Sequence, residues 1–513
     1  MAAFQQGHAL RAAAICDELV RVEPRHAGAL HVLGIVAAQA GSPAKAAEYF
    51  RRALAVEPDE PVLACNLGNV LRDLGRPAEA LSAYEMAMRL APEFAGAHYG
   101  AGNALLDLGR PADAIARFDR AVELEPRNAD AHNNRGHALL LSGRLPEALD
   151  SFRLAVRIQP TFALALANCM RVLMQLQRFD EALQVGLRRI AAQPRAADAH
   201  QDSAFCLLQL GRADEALHQY GSALACQPGS VEALYGRGLA ARALHRHAEA
   251  LADFDAALRL QPDSVDVLYR RAESLRDLRR HAEAAQDFAR VIASDPSREY
   301  ALGNLIQARL QSCDWTDYAA NVGLANERTE RGARDCLPGA FLAIARSPAA
   351  QLACARAYWS PAPQAATRPR VQRAYTHRRI RVAYLSADFR EHPVAQQLVG
   401  VLEHHDRARF DIHGISFTPP QSSAIGQRTM AAFEHWVDAS GRSDDAIAAM
   451  LADAEIDIAV DLMGFSAHGR PHLFGRRVAP VQVNFLGYPG TMGSDSHDYL
   501  IADAVVVPPA EEQ

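Results

Sequence analysis

The chain has 513 residues, enough for two or more hydrophobic cores. Its 54 Lys and Arg against 60 Asp and Glu leave a net charge of −6, which excludes a nucleic-acid binder driven by bulk positive charge. It has no apolar run long enough to span a membrane and no secretory signal pattern, and its eight cysteines show no CxxC and no pairing rhythm, so a reducing, cytoplasmic setting is expected.

Residues 7–23 read as one amphipathic helix ending at Pro24. From there a single pattern recurs. Prolines fall at Pro24, Pro58, Pro92, Pro126, Pro160, Pro194, Pro228, Pro262 and Pro296. Alanines keep the same step at Ala46, Ala80, Ala114, Ala148, Ala182, Ala216, Ala250 and Ala284. Four residues after most of them stands an aromatic: Phe50, Tyr84, Phe118, Phe152, Tyr220, Phe254 or Phe288. Gly34, Gly68, Gly102, Gly136 and Gly238 share a third register. A period of 34 residues with small residues at helix crossings and Pro closing each unit resembles the tetratricopeptide repeat. Eight full units run from Ala27 to Pro296. Each is expected to hold a first helix such as Val62–Leu74, a turn such as Gly75-Arg76-Pro77, and a second helix such as Ala78–Leu90. In this register the opening helix is a second helix without its partner, so the chain begins in mid-repeat. One such hairpin cannot bury its apolar face alone, but stacked neighbours can, and the expected product is an α-helical superhelix, or solenoid, whose concave face is lined by first helices.

Asn66, Asn134, Asn168 and Asn304 share a register on that face, and Asn69 and Asn103 lie one turn further on. A carboxamide both donates and accepts, so a spaced row can clamp the backbone of an extended peptide irrespective of its side chains. The alternative is a set of solvated helix positions. The row is broken at Gly100, Asp202, Gly236 and Arg270.

A ninth unit opens at Arg298–Leu310 and then departs from the pattern at Cys313-Asp314-Trp315-Thr316-Asp317-Tyr318. Residues 320–360 are expected to be helical but out of register, and 361–379, with three prolines and six Arg or His, read as a linker. The expected organisation is a repeat array at 1–310, a helical transition and linker at 311–379, and an α/β lobe at 380–513. In the lobe, apolar runs at Ile380–Ser386, Phe410–Phe417, Ile456–Leu462, Val481–Leu486 and Tyr499–Ala502 alternate with helical patterns at Val394–His404, Ile425–Phe433 and Ala446–Ala454. That alternation predicts a parallel, doubly wound, Rossmann-like sheet whose ligand crevice lies beyond the strands' carboxyl ends.

Three strand-end segments carry candidate chemistry. In Ser386-Ala387-Asp388-Phe389-Arg390-Glu391-His392-Pro393, Pro393 suits the first position of the next helix. His392 then sits at a helix N-terminus, where the dipole disfavours imidazolium and a neutral ring can accept a proton. The plainer reading is a histidine that caps the helix. In Asp461-Leu462-Met463-Gly464-Phe465-Ser466, Asp461 can bind a hydroxyl or orient a base, and Gly464 can let backbone approach a ligand. His468 and His472 stand nearby, but their spacing with Asp461 matches no metal pattern, and no metal site is expected. The third, Leu486-Gly487-Tyr488-Pro489-Gly490-Thr491-Met492-Gly493, is a tight loop whose exposed N–H groups, around Gly487, Pro489 and Thr491, can hold phosphate or sugar oxygens.

The repeat array, the Cys313–Tyr318 segment, Arg381-Val382-Ala383-Tyr384-Leu385-Ser386-Ala387-Asp388-Phe389 with His392-Pro393, and Leu486-Gly487-Tyr488-Pro489-Gly490-Thr491, in that order, resemble the protein O-GlcNAc transferases, a family that includes the SPINDLY-type enzymes. The resemblance covers the whole chain. It implies a GT-B glycosyltransferase that moves N-acetylglucosamine from UDP-GlcNAc to Ser or Thr of proteins, inverting the anomeric centre without metal or other cofactor. His392 matches the family's proposed proton acceptor, and Gly487 and Pro489 match the loop beside the donor sugar. The groove of the repeats would present the acceptor protein, and the repeats also offer a surface for homo-oligomer formation. A GT-B enzyme has a second, nucleotide-binding lobe, and these residues contain no counterpart of it. The expectation is therefore a fragment of a longer chain that would not transfer sugar detectably alone. The competing readings are a repeat scaffold without catalysis and an O-fucosyltransferase of the SPINDLY type.

Overall fold

The computed structural model describes residues 9–359, 375, 377–420, 422–488 and 490–502. Most of the expected linker lies outside them. The chain resolves into two compact units, Met1–Leu260 and Gln261–Gln513.

The first unit is all helix. A lone helix, Ala9–Val22, is followed by antiparallel pairs beginning with Ala27–Gln39 and Pro43–Leu54 and ending with Val231–Ala243 and His247–Leu260. The turn inside a pair has one chemistry throughout. In the second pair, Gly75 at φ +69° donates to Arg72 O at 2.8 Å and Arg76 N donates to Leu71 O at 2.9 Å, the Schellman closure that satisfies the last carbonyls of the helix. Pro77 then opens the second helix, where its missing N–H costs nothing. Gln177 and His245 occupy the same turn position at φ 56° and 57°, so those turns carry backbone strain that glycine avoids.

The two helices of a pair meet through a ring and a missing side chain. Phe50, Tyr84, Phe118, Phe152 and Phe254 are 1% exposed or less. Each lies against the glycine of its own first helix. A Cβ on Gly34, Gly68, Gly102, Gly136 or Gly238 would fall 2.5 to 2.8 Å from that ring. Burying each aromatic contributes about 2–3 kcal/mol, and at these five positions the bare backbone makes room for it. One repeat inverts the arrangement. Gly186 stands in the aromatic register, and Met170 stands where most first helices have glycine and two have alanine, Ala204 and Ala272. A Cβ on Gly186 would come within 2.8 Å of Met170 Cε and closer still to Ser203 Oγ in the next repeat. The large side chain has changed helices and the volume is conserved.

The same packing explains two gaps in the asparagine row. Tyr84 and Tyr220 are the rings that carry a hydroxyl, and the residue of the next repeat facing each is Gly100 or Gly236. A Cβ there would fall 2.5 Å from Tyr84 Cζ or Tyr220 Cε1. Where the ring is Phe118 or Phe152, the facing position holds Asn134 or Asn168 instead.

The second unit begins with one more pair, Val265–Asp277 and His281–Ser294. The ninth unit starts later than its sequence pattern: Tyr300 adopts φ 63° and donates its N–H to Arg334 O at 2.7 Å, so the helix opens at Ala301 and ends at Gln311. Instead of one helical stretch, Tyr318–Glu330, Pro338–Phe341 and Pro348–Trp359 follow as separate helices.

The rest of the unit is a six-stranded sheet. Its strands are β1 (Ile380–Ser386), β2 (Phe410–Ser416), β3 (His435–Asp438), β4 (Ile458–Asp461), β5 (Val481–Phe485) and β6 (Tyr499–Ile501). Every pairing is parallel and the order is β3-β2-β1-β4-β5-β6. Helices α1 (Pro393–Glu403), α2 (Ala424–Ala431), α3 (Asp444–Asp453) and the short α4 (Pro471–Gly475) connect the strands. Strand β3 and helix α4 are additions to the elements expected from sequence. Because side chains alternate along β1, Val382 and Tyr384 pack with α1 while Ala383 and Leu385 pack with α3, giving two apolar layers. Packed against this lobe in the same unit is the helix Pro348–Trp359. Tyr358 stacks on His472 with ring centroids 5.1 Å apart, and Trp359 Nε1 donates to Met492 O at 2.8 Å.

Two glycine substitutions of opposite expected sign test the packing rule. Gly102→Ala drives a methyl into Phe118 and lowers stability by about 1–3 kcal/mol. Gly221→Ala, in a helix and with no heavy atom within 4 Å of the new carbon, raises it by about 0.5–1 kcal/mol. Urea melts of the two variants check this; equal shifts would contradict it.

Candidate active site

The strand order reverses between β1 and β4: the chain runs outward from β1 to β3, then returns to start the other half at β4. In a parallel sheet the connections diverge at such a point and leave a crevice beyond the carboxyl ends. The loops after β1, β4 and β5 converge there. Ser386 Oγ approaches Met463 Sδ at 3.2 Å, and Phe465 meets Tyr488 edge to face with centroids 5.4 Å apart. The three segments singled out in the sequence therefore form one rim.

On the β1 loop, His392 is the N-cap of α1, and its Nδ1 accepts from Val394 N at 3.3 Å. The capping reading is thus correct as geometry. Nδ1 also lies 3.6 Å from Asp388 Oδ2, and the side chain is 38% exposed. Asp388 is buried, takes Arg390 Nη2 on Oδ1 at 3.1 Å, and receives nothing closer than His392 on Oδ2. An imidazole that turns Nδ1–H toward Asp388 presents a basic Nε2 to the crevice. Asp388 was part of the segment singled out in the sequence, but nothing there marks it as the partner of His392. The two are one helical turn apart in number yet sit in a loop, so only the fold brings their side chains together.

On the β4 loop, Asp461 is buried and both its oxygens are engaged within the protein. Oδ1 accepts from Met463 N at 2.9 Å and Gly464 N at 3.0 Å, and Oδ2 takes His497 Nε2 at 3.2 Å. His497 in turn lies 2.9 Å from Ser496 Oγ through Nδ1 and stacks on Phe474 with centroids 4.9 Å apart. A neutral ring that donates from Nε2 and accepts at Nδ1 satisfies every member. Asp461 therefore orients a histidine, but one locked in a buried network that pins the β5–β6 connection. His497 and Ser496 have no sequence signal beyond their polarity. Gly464 adopts φ +52°, and a Cβ on it would fall 2.6 Å from Tyr488 Cβ. His472 is occupied in the stack on Tyr358 and His468 is exposed.

On the β5 loop a Cβ on Gly487 would overlap the carbonyl oxygen of Leu462, so the β4 and β5 loops touch only because residue 487 has no side chain. Leu486 before it takes φ 71°. Thr491 Oγ1 accepts from Gly493 N at 3.3 Å. Burial pushes the Tyr488 phenol up to about 12, so it is a neutral donor at pH 7. Pro489 lies outside the described residues.

The asparagine row has its own partners. Asn66 pairs with His31 Nε2, Asn134 donates to Tyr99 Oη, Asn168 to Asn133 Oδ1 and Asn304 to Tyr269 Oη, each at 3.0 Å and each 35 residues upstream. Asn134 also donates to Asn103 Oδ1 at 2.8 Å, and Asn69 accepts from Tyr84 Oη at 2.6 Å. The row thus bonds four of the repeats to the one before. Asn103, Asn168 and Asn304 are buried, while Asn66 and Asn134 are half-buried and Asn69 is exposed.

Two family models match the chain. One is the tetratricopeptide repeat, at residues 1–61, 65–115, 99–161, 171–231, 206–265 and 235–299. The other is glycosyl transferase family 41, at residues 364–513. A probable UDP-N-acetylglucosamine–peptide N-acetylglucosaminyltransferase (SEC) of Arabidopsis thaliana is 33% identical over 138 residues, 27% of this chain and 14% of that protein. The UDP-N-acetylglucosamine–peptide N-acetylglucosaminyltransferase of Caenorhabditis elegans is 34% identical over 131 residues, 25% of this chain and 11% of that protein. These matches span about one seventh of the relatives' length or less. A mutant O-GlcNAc transferase of Thermobaculum terrenum aligns over 61% of this chain and 55% of its own, at 23% identity and a TM-score of 0.38.

Asp461→Ala removes the acceptor of two amides. Hydrogen exchange at Met463 and Gly464 is expected to rise about tenfold or more, since a lost hydrogen bond to a carboxylate is worth about 1.5–3 kcal/mol. Unchanged protection there would show that the loop is held by something else.

Proposed function

This chain belongs to the tetratricopeptide repeat family and carries a glycosyl transferase family 41 domain at residues 364–513, and on that basis we propose that it serves the transfer of N-acetylglucosamine from UDP-GlcNAc to Ser or Thr hydroxyls of proteins held by the repeats. The observation that carries this reading is the coincidence of the family 41 match with a parallel sheet whose switch-point rim holds His392 beside Asp388.

A Ser or Thr hydroxyl is a poor nucleophile near neutral pH and needs a positioned base. Once the ring gives up the bond from Val394 N and turns a protonated Nδ1 to Asp388, Nε2 of His392 takes the hydroxyl proton. The hydroxyl oxygen attacks the anomeric carbon from the face opposite the diphosphate. The bond from that carbon to the diphosphate oxygen breaks, and UDP leaves with the electron pair. Inversion follows from the direction of attack. The charge gathering on the leaving diphosphate is met by backbone N–H groups, of which the Gly487–Gly493 loop supplies several, and the step needs no metal ion. Acceptor proteins dock along the first helices of the repeats.

The test is transfer of labelled sugar from UDP-GlcNAc to a Ser/Thr acceptor by the intact gene product. His392→Ala lowers kcat by about 100-fold or more with the fold retained, and Asp388→Asn lowers it less. An undiminished rate in His392→Ala removes the imidazole from the reaction, and absence of transfer with an active acceptor panel removes the reading itself.

A further inference from the structure

At the opposite ends of the strands from the crevice, three side chains that no part of the proposed reaction uses lie together. Asp411 and His413 are two apart on β2, so they share a face, and His435 on β3 is the register partner of His413. The face is the one that Ile415 contributes to the apolar layer under α3. His413 and His435 stack with centroids 4.3 Å apart and planes at 24°. Asp411 Oδ1 lies 3.1 Å from His435 Nε2 and 3.7 Å from His413 Nε2, and the three atoms all fall within 4.8 Å of one another. Two of these atoms are buried and unsatisfied: neither Asp411 Oδ1 nor His413 Nε2 makes a hydrogen bond. Arg379 does not fill the space. Its guanidinium reaches the other oxygen, Oδ2, at 3.6 Å and is held by Glu434 at 2.8 Å.

We propose that Asp411, His413 and His435 bind one divalent transition-metal ion, with zinc the natural occupant. Imidazole nitrogen and carboxylate oxygen are its preferred donors at about 2.0–2.2 Å, which places ligand atoms about 3.4 Å apart around a tetrahedral ion. The two spacings from Asp411 Oδ1, 3.1 and 3.7 Å, bracket that. The His435 side chain is 53% exposed, so water completes the shell and ions enter from that side. The ion joins β2 to β3, the edge strand of four residues, and its place at the amino end of the strands makes it a structural clamp separate from sugar transfer.

The experiment is calorimetric titration of the chelator-treated full chain with zinc, and with cobalt for its visible absorption. One equivalent is expected, with a higher Tm when bound. His435→Ala, at an exposed position where folding is not at issue, weakens binding at least tenfold and abolishes the Tm rise. His404→Ala, an exposed histidine at the end of α1, leaves both unchanged. Binding by His435→Ala equal to that of the parent, failure of the parent to take up one equivalent, or equal loss in His404→Ala overturns the proposal.

Discussion

A large side chain lodged against a glycine or alanine sets the spacing of the helix pairs. Phe118 against Gly102 is the pattern, and it holds wherever the second helix carries an aromatic and the first a glycine. Close packing sets the limit: the residue in the glycine register must be small where the ring is large, alanine serving for Tyr220 and Phe288 at Ala204 and Ala272, and a smaller side chain on the second helix would leave a void. The exchanged pair, Met170 with Gly186, supports the point because the repeat keeps one large and one small partner while reversing which helix bears which. Uniform spacing gives the pairs a uniform stack, and the stack carries the row of carboxamides from one repeat to the next.

That row links packing to recognition. Asn66, Asn134, Asn168 and Asn304 each reach the residue 35 places earlier, so the same groups that make the array a peptide-docking candidate also tie neighbouring repeats together. Half-buried Asn66 and Asn134 and exposed Asn69 retain an edge toward solvent; the others are committed to the interior. The lobe obeys a different constraint. Its parallel order forces the β1 and β4 connections apart, and Gly487 lets the β5 loop close against Leu462. The three candidate loops meet on that rim.

The repeat was legible because its constraint is periodic: a ring every 34 residues needs no third dimension to be seen. The principal strands of the sheet were legible from apolar runs, and His392 from its place before Pro393. What escaped were features that only tertiary register creates. No apolar alternation marks His435–Asp438 as a strand; it exists because it pairs with His413–Ser416. His497 is a single histidine until Asp461 receives it across the sheet end. Histidines near Asp461 drew attention to His468 and His472, whereas the cluster with ligand spacing joins Asp411, His413 and His435 across two strands. Two of the gaps in the asparagine row have a reason that only the fold shows, since Gly100 and Gly236 face the hydroxyl-bearing rings Tyr84 and Tyr220.

The claim that each repeat needs one large side chain facing one small residue is tested most directly by a double-mutant cycle at the inverted repeat. Met170→Gly and Gly186→Phe are made singly and together in a Ser203→Ala background, which removes the hydroxyl nearest the new Cβ, and the urea midpoint of each is measured. Each single change should destabilise, one by a cavity and the other by overpacking, while the pair restores the arrangement of Gly102 and Phe118 and recovers most of the loss, with a coupling of about 1–3 kcal/mol. Losses that simply add would contradict the account.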